Sequence, residues 1–588
     1  MTIKLRLATL LLSACTLHSS RMHAQTADSG VTEGLWEAKR RFGPDVRGPL
    51  SIVQDADGWR ADVAGVREQA RVSGDTVSFT LLNKAGSLIA YLSKDRSTIS
   101  GHWIQPRVVV SGSEYASPII LRRNEPRRWI GTVVPLDDEM TMYLLIRKRP
   151  DGTLGAFLRN PERNLGRQLR ADRIETSGSE VRMIGKWNGN GAERLLGSGV
   201  LNDDGFSLFL SGRGGTFDFR RVGDDEYSDF YPRGRRTGTY SYIAPPALGD
   251  GWDTGTLAGE GLSPDTISNF MRTMVNLPMD SLSSPQVHAV LIARHGKLVL
   301  EEYFHGENRD KAHETRSAAK SITSTLVGAA IHARGGVTLA SPVYAIMNGG
   351  KFPDTMEPRK RRITLEHLLS MSSGIDCDDS DPNSPGNESA VTDQTDEPDY
   401  YRLILRLGTI REPGEKAVYC SINPHLAGGV LKNASGRSLP DLFSELVARP
   451  LGIASYYLPL TPTRDVYMAG GVRLTARSFA KIGQMYLDSG VWKGKRILDA
   501  SYVKKAGMPR YPMSGIHYGL AWWVIDYPFR GETMQGYFAG GNGGQFLLVI
   551  PKLDMVVMFY GANYQDPATF TGQRVYVPRF ILPAVSGR

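Results

Sequence analysis

Ser317 and Lys320 stand three residues apart at the start of a helix-like run, TRSAAKSITSTLVGAAI (315–331). Residues at this spacing share a helix face, so the lysine amine can reach the serine oxygen. A serine is activated for attack on a carbonyl when a neighbouring base removes its proton. Burial and a nearby helix end lower a lysine's pKa and leave it neutral part of the time. The pair therefore predicts acyl transfer through a serine ester.

The same spacing recurs at Ser478–Lys481 and Ser501–Lys504, so the pattern alone decides little. Those two pairs lie on amphipathic patterns beside bulky residues, which favours ordinary surface helices. Ser317 follows a strand–turn–strand pattern at 287–304, and small alanines come directly after it. Of the three serines, Ser317 has the context of a nucleophile.

Two further segments could complete a hydrolytic site. Tyr419, in PGEKAVYCSINPHLAGG (413–429), precedes a helix and could share a proton with Lys320, although such a tyrosine is usually a core residue. The segment YFAGGNGGQFLLVIP (537–551) has glycines that let a strand edge approach a ligand, as an oxyanion hole requires. A glycine-rich hairpin without that role is the alternative.

Taken in this order, Ser-x-x-Lys, Tyr-x-Ser and the glycine-rich strand resemble the serine β-lactamase and penicillin-binding-protein superfamily. The resemblance is closest to its class C-like branch of esterases and aminohexanoate-oligomer hydrolases. Further similar stretches are ITLEHLLSMSSGID (363–376), 469–498 and 550–561, so the likeness covers nearly all of residues 258–588. It implies an α+β catalytic domain, an antiparallel sheet with helices, over residues 261–588.

The resemblance also implies roles for particular residues. Ser317 would be the acylated nucleophile, Lys320 its base and Tyr419 the group that passes the proton to the leaving group. The N–H groups of Ser317 and Gln545 would form the oxyanion hole. The remaining positions carried over are pocket residues, namely Asn423, Asn542, Gly543 and Gly544.

Two departures from the family pattern bear on the substrate. Asn542 stands where the Lys-Thr-Gly strand motif would have its cation, and Tyr-Cys-Ser replaces Tyr-x-Asn. Both changes remove groups that hold a β-lactam, so we expect an uncharged ester or amide substrate and no metal or other cofactor. A D-amino-acid peptidase or amidase acting on cell-wall peptides, and a catalytically silent sensor or scaffold, stay open as alternatives.

The region before the catalytic domain has the pattern of an all-β structure. Short strand-like runs alternate with Asp-Gly turns over residues 31–245. Similar openings, GLWEAKR at Trp36 and RWIGTVV at Trp129, predict two related barrel- or sandwich-like modules, 31–125 and 126–245. The Pro- and Gly-rich residues 246–260 read as a linker.

The first 24 residues have the layout of an export signal, with basic residues before a short apolar run. LSAC resembles a lipobox with Cys15 as the lipidated residue, which would tether the chain to a bacterial membrane; cleavage after Ala24 to give a soluble periplasmic form is the alternative. In an oxidising compartment Cys377 and Cys420 could form a disulfide or stay as two thiols. The net charge of +9 comes with no nucleic-acid-binding signature, so we expect a small-molecule ester, amide or peptide partner.

Overall fold

A computed structural model describes residues 30–44, 46–108, 112–163, 169–187, 191–281 and 283–586. The predicted export signal (1–24) and Cys15 lie outside these residues. Among the described residues, no helix combines the length and the apolar character needed to cross a bilayer.

The N-terminal half is all-β, as predicted. Its strands are β1 (Gly34–Gly43), β2 (Gly48–Asp55), β3 (Gly58–Val63), β4 (Val66–Ser73), β5 (Thr76–Thr80), β6 (Ser87–Leu92), β7 (Thr98–Gln105), β8 (Glu114–Glu125), β9 (Arg128–Val133), β10 (Asp138–Lys148), β11 (Leu154–Arg159), β12 (Leu169–Ser177), β13 (Glu180–Trp187), β14 (Arg194–Asn202), β15 (Gly205–Leu210) and β16 (Gly215–Val222).

These strands close into two antiparallel barrels of eight strands each. The first barrel consists of β1 and β10–β16, and β1 closes it by pairing with both β10 and β16. The second barrel consists of β2–β9, and β9 closes it by pairing with both β2 and β8. Alternating apolar side chains fill each interior, with Trp36 in the first core and Trp129 in the second.

The two modules inferred from the sequence exchange their first strands. The predicted modules open at Trp36, in β1, and at Trp129, in β9, and the chain provides eight strands from each opening. However, β1 pairs only with strands of the second module, and β9 completes the barrel made by strands of the first. The predicted boundary at 125/126 therefore falls between β8 and β9, two paired strands of one barrel, and the second barrel is inserted between β1 and β10.

The C-terminal half is an α+β domain. Its strands are β17 (Asp253–Thr254), β18 (Val287–Arg294), β19 (Lys297–Tyr303), β20 (His313–Glu314), β21 (Tyr456–Leu460), β22 (Arg473–Leu474), β23 (Val491–Trp492), β24 (Lys495–Arg496), β25 (Tyr511–Met513), β26 (Ile516–Tyr518), β27 (Trp523–Phe529), β28 (Glu532–Gly541), β29 (Gln545–Ile550) and β30 (Met555–Gly561). Its α-helices are α1 (Pro264–Val275), α2 (Ala319–His332), α3 (Val343–Met347), α4 (Pro358–Arg361), α5 (Leu365–Leu369), α6 (Glu388–Thr392), α7 (Tyr400–Arg406), α8 (Ile422–Ser435), α9 (Leu439–Phe443), α10 (Ala476–Leu487), α11 (Ala500–Ala506) and α12 (Leu582–Ala584).

A nine-stranded sheet in the order β17-β19-β18-β30-β29-β28-β27-β26-β25 forms the centre of this domain. Its central strands are buried on both faces, which explains their unbroken apolar runs. In β18, Ala289 and Leu291 face the layer that holds α2, α8 and α10. Val290 and Ile292 face the opposite layer, where α1 and the C-terminal helix pack.

The predicted linker (246–260) is packed against the catalytic domain. Trp252 is buried and donates its indole N–H to the Arg477 carbonyl at 3.2 Å. Residues Asp253–Thr254 add a parallel edge strand beside β19. The segment therefore packs as part of the catalytic domain.

The second barrel continues by hydrogen-bonded strands into the catalytic domain. β8 pairs with β21, β21 with β22, and β22 with β20. β20 ends at Glu314, three residues before Ser317. The barrel sheet is thus tied directly to the segment that carries the predicted nucleophile.

Candidate active site

Ser317 lies in a single 3₁₀ turn, Arg316–Ala318, that leads into α2. Ile322 and Leu326 on α2 are buried, which fixes the helix in the core. Arg316 has a φ of +49°, a left-handed conformation that costs a non-glycine residue energy. The turn presents the half-buried Ser317 at the helix N-terminus.

Lys320 is buried and reaches the serine. Its Nζ lies 3.1 Å from Ser317 Oγ and donates to the carbonyl of Ala469 at 2.8 Å. Tyr419 lies on the same side of Lys320, with its ring centroid 5.1 Å from Nζ.

The electrostatic state of Lys320 differs from the sequence-based expectation. Burial alone would lower the pKa of Lys320, but its interactions with Tyr419, Glu388 and Asp379 outweigh burial and raise this pKa above its ordinary value. Glu388 and Asp379 are distant in sequence, so the motif alone could not show them.

Tyr419 is held by aromatic packing and by its own backbone. Its ring stacks on Trp523 with centroids 5.6 Å apart, and Tyr518 packs edge-on at 6.3 Å. The Tyr419 carbonyl accepts a hydrogen bond from the Asp379 N–H at 3.0 Å. The next residue, Cys420, is bonded to Cys377 in a disulfide, so of the two states left open for these cysteines the structure has the bridge.

The acidic segment 376–399 lines the lysine side of the site. Asp379 accepts from the N–H and the hydroxyl of Ser421, and its other oxygen accepts from the Glu388 N–H at 3.1 Å. Glu388 accepts from the Tyr467 hydroxyl at 2.6 Å. Burial raises the pKa of Asp379 although the charge of Lys320 opposes the shift. This segment braces Tyr419 and sets the charge of Lys320.

The glycine-rich strand approaches the nucleophile turn at Gly541. A Cβ at this position would lie 2.4 Å from the Thr315 carbonyl oxygen and 3.1 Å from the Ala318 nitrogen. Only a residue without a side chain fits such a contact. The end of β28 is therefore the strand segment that lies against Ser317.

The register of β28 shows which of its N–H groups lie on an open edge. Phe529 and Glu532 close a two-residue hairpin, so even-numbered residues of β28 direct their N–H groups toward β27. That pairing ends at Trp523 and Phe538. The N–H group of Gly540, the last even-numbered residue of β28, consequently lies beyond the paired part of β27, on its open edge.

Gln545 does not have the position that the resemblance implied. It begins β29, one strand further along the sheet, and is paired with Gly541. Its buried side-chain amide donates to the carbonyls of Asn542 and Gly561 at 3.3 and 2.7 Å. Gln545 therefore braces the turn after β28, and the register leaves the Gly540 N–H on the open edge of β28.

The other predicted pocket residues have structural partners. Asn423 is 1% exposed, and its oxygen accepts from the Ser373 hydroxyl at 2.8 Å. Gly543 and Gly544 have positive φ and pack against the segment 563–569, away from Lys320. The structure brings together Ser317, Lys320, Tyr419 and the end of β28, but it does not bring Asn423 into the pocket.

The other two Ser-x-x-Lys pairs lack a nucleophile–base contact. Ser478 and Lys481 lie on α10 and are buried, contrary to the predicted surface position, and Lys481 donates to the Gly452 carbonyl at 3.0 Å. Ser501 and Lys504 are exposed on α11, as predicted. Within the described ranges, no cluster of His, Cys, Asp and Glu side chains is arranged to hold a metal ion.

Three contributors to the site escaped sequence reasoning. The Ala469 acceptor is a backbone carbonyl and leaves no residue-type signal. Asp379 and Glu388 belong to an acidic segment that has the composition of a solvated loop. A signal was available in Cys377 and Cys420, since bridging them places this segment beside Tyr419.

The serine–lysine contact at a helix N-terminus, a tyrosine in the same network and an open strand edge define a serine hydrolase of the β-lactamase fold. The family model described as Beta-lactamase matches residues 281–574, half of the chain. The chain belongs to this family.

Individual proteins are also similar to parts of this chain. The 6-aminohexanoate-dimer hydrolase of Paenarthrobacter ureafaciens is 26% identical over 302 residues, which cover 48% of this chain and 74% of that protein. A solved family VIII carboxylesterase is 16% identical with a TM-score of 0.40, covering 52% of this chain and 92% of its own. The octameric penicillin-binding protein homologue of Pyrococcus abyssi is 19% identical with a TM-score of 0.39, covering 52% and 76%.

Proposed function

We propose that this enzyme hydrolyses an ester or amide through an acyl-enzyme formed on Ser317, with Lys320 and Tyr419 as its acid–base network. The observation that carries the proposal is the 3.1 Å contact between Lys320 Nζ and Ser317 Oγ. This contact lies within the residues that match the Beta-lactamase family model. The related 6-aminohexanoate-dimer hydrolase is named for the hydrolysis of an amide-linked dimer.

The first step transfers one proton and forms one bond. The Ser317 proton passes to the Lys320–Tyr419 pair, which lies beside the serine oxygen and shares that proton until the leaving group takes it. Ser317 Oγ then bonds to the substrate carbonyl carbon. The N–H groups of Ser317 and Gly540 stabilise the oxyanion, and neither forms a covalent bond.

The second step releases the leaving group and regenerates the enzyme. The bond to the alcohol or amine breaks while Tyr419 returns its proton to that group. Water then attacks the acyl-enzyme, giving a proton to Tyr419 and a hydroxyl to the acyl carbon. Cleavage of the Ser317 ester takes that proton back and restores the free serine.

Substitution of the nucleophile tests this proposal. The Ser317→Ala variant of the full chain should lose hydrolysis of 4-nitrophenyl butyrate, and wild-type Ser317 should react covalently with a fluorophosphonate. The exposed Ser501→Ala variant is the matched control and should keep full activity. Hydrolysis by Ser317→Ala at the wild-type rate would reject the proposal, and an unreactive wild-type serine would favour a silent sensor or scaffold.

We further propose that the protein works outside the cytosol. The Cys377–Cys420 disulfide supports this location, because such bonds persist mainly in oxidising compartments. Mass spectrometry of the chain produced in a bacterium with a periplasm tests it. An unprocessed, reduced chain in the cytosolic fraction would contradict the proposed export.

A further inference from the structure

Three arginines surround one buried carboxylate beside the nucleophile. Glu314 is 7% exposed, and its Oε1 lies 3.0 Å from Arg316 Nε. Its Oε2 accepts a hydrogen bond from Arg473 Nη2 at 3.3 Å. Arg163, from the first barrel, lies within electrostatic range of the same carboxylate. We call Arg163, Arg316 and Arg473 the arginine cluster.

Arg163 is placed there by a docked segment of the first barrel. Arg159, at the end of β11, donates to the carbonyls of Met279 and Ser281 at 3.0 and 2.6 Å. His288 of β18 donates its Nε2–H to the Pro161 carbonyl at 2.9 Å. The Arg163 N–H donates to Asn160 Oδ1 at 2.8 Å. The segment 159–163 is therefore fixed against the catalytic domain.

The open face of this cluster is cationic. The side chains of Arg316 and Arg473 are 34% and 17% exposed, whereas that of Glu314 is 8% exposed. The Arg316 guanidinium lies over the Tyr564 ring at 4.8 Å, and Tyr564 packs against Gly543, next to Asn542. Positive charge therefore borders the open strand edge beside Ser317.

Glu314 does not balance the charge of its neighbours. Burial alone would raise the pKa of Glu314, but Arg316, Arg473 and Arg163 lower it to about 2, so it is ionised. Burial lowers the pKa of Arg163, and the like charges of Arg316 and Arg473 lower it further. A single carboxylate facing three guanidinium groups leaves the capacity to bind another anion.

We propose that the arginine cluster binds a carboxylate of the substrate, so that the enzyme prefers esters or amides with an anionic group near the scissile carbonyl. This inference rests on the proposed function. It reverses the expectation of an uncharged substrate, which came from the missing cation at Asn542. It also gives the first barrel a part in substrate selection, because Arg163 belongs to that barrel.

Matched pairs of esters test the proposal on the full chain. One pair has the carboxylate on the acyl side, 4-nitrophenyl hydrogen glutarate against 4-nitrophenyl pentanoate. The other has it on the leaving group, 3-carboxyphenyl pentanoate against phenyl pentanoate. We expect wild-type kcat/KM to favour the anionic member of at least one pair by about tenfold, mainly through KM. Added salt should reduce this preference.

Substitution of Arg163 should remove the preference. Arg163→Gln should lower the ratio of kcat/KM between anionic and uncharged esters about tenfold, and Arg163→Lys should restore part of it because it keeps the charge. Arg170→Gln, an exposed arginine of the same barrel paired with Asp172, is the control and should leave the ratio unchanged. A wild-type enzyme without preference, or an equal loss for both members of each pair, would overturn the proposal.

A binding measurement separates this inference from the proposed chemistry. Titration calorimetry should detect methyl hydrogen glutarate binding to the Ser317→Ala chain, and binding should weaken about tenfold in the Ser317→Ala/Arg163→Gln chain. Binding without any ester hydrolysis by the wild type would reject the proposed function and retain the anion site. Equal affinity of the two chains would reject the anion site even if the esters are hydrolysed.

Discussion

The Asp379 carboxylate accepts hydrogen bonds from both the backbone N–H and the hydroxyl of Ser421, at 2.8 and 2.7 Å. Ser421 is two residues beyond Tyr419, and the Asp379 N–H in turn donates to the Tyr419 carbonyl at 3.0 Å. The two residues thus clamp the backbone on either side of Cys420. The position of the Tyr419 ring depends on this clamp.

Removal of the clamp should affect turnover more than binding. We expect Asp379→Ala to lower kcat by about tenfold to a hundredfold with a smaller change in KM, since small displacements of an acid–base group are costly. Asp379→Asn should recover part of kcat because it keeps an acceptor oxygen. Steady-state kinetics with 4-nitrophenyl butyrate measures the effect. Asp396 is exposed in the same segment, so Asp396→Ala is the control. An equal loss of kcat in Asp379→Ala and Asp396→Ala would contradict the clamp.

The disulfide should contribute to both stability and activity. It closes a loop of 43 residues, for which chain entropy corresponds to roughly 4 kcal/mol, and measured values for native disulfides are about 2–5 kcal/mol. We expect the Cys377→Ser/Cys420→Ser chain to unfold at lower urea concentration and to lose kcat, because Cys420 adjoins Tyr419. Unchanged kcat at a temperature where the variant stays folded would show that the bridge does not position Tyr419.

Gly541 should tolerate no side chain. The Cβ of Gly541→Ala would collide with the Thr315 carbonyl oxygen at 2.4 Å and displace either β28 or the nucleophile turn. We expect a fall in kcat/KM of about a hundredfold, because the displacement separates Ser317 from the open strand edge. Gly408→Ala is the control, since a Cβ there meets no atom within 4 Å. Similar activity of both alanine variants would remove Gly541 from the site.

Buried neutral histidines should make the protein sensitive to acid. Burial lowers the pKa of His288, His305 and His425 from 6.5 to about 3. The unfolded chain binds their protons below pH 6.5 and the folded chain does not, so stability present above pH 6.5 is lost as the pH falls toward 3. Each histidine contributes up to about 1.4 kcal/mol per pH unit in that window.

Urea unfolding at pH 7 and pH 5 measures this slope. His425→Phe should reduce this slope because it removes one titrating group. The phenyl ring can keep the stack on Tyr401, whose centroid lies 4.5 Å from that of His425, so the variant should still fold. The exposed His517→Gln is the control and should leave the slope unchanged. An identical slope in wild type and His425→Phe would show that His425 is not the titrating group.

The sequence was sufficient wherever local pattern determines structure. The strand–turn–strand pattern at 287–304 and the Ser317–Lys320 contact follow from spacing and residue type, and the structure has both. The charge of Lys320 could not be predicted, because it depends on Asp379 and Glu388, which are distant in sequence. The same holds for Arg163, because its effect on Glu314 depends on the docking of the first barrel onto the catalytic domain.

The exchange of β1 and β9 sets an order of assembly during synthesis. The second barrel is complete once residue 133 has left the ribosome, whereas the first must wait for β16, which ends at Val222. The earliest strand to be made therefore stays unpaired while a whole neighbouring barrel closes, and its partners arrive later. Protection of β1 from a protease, followed on stalled nascent chains of increasing length, should appear only after β10 and β16 have emerged.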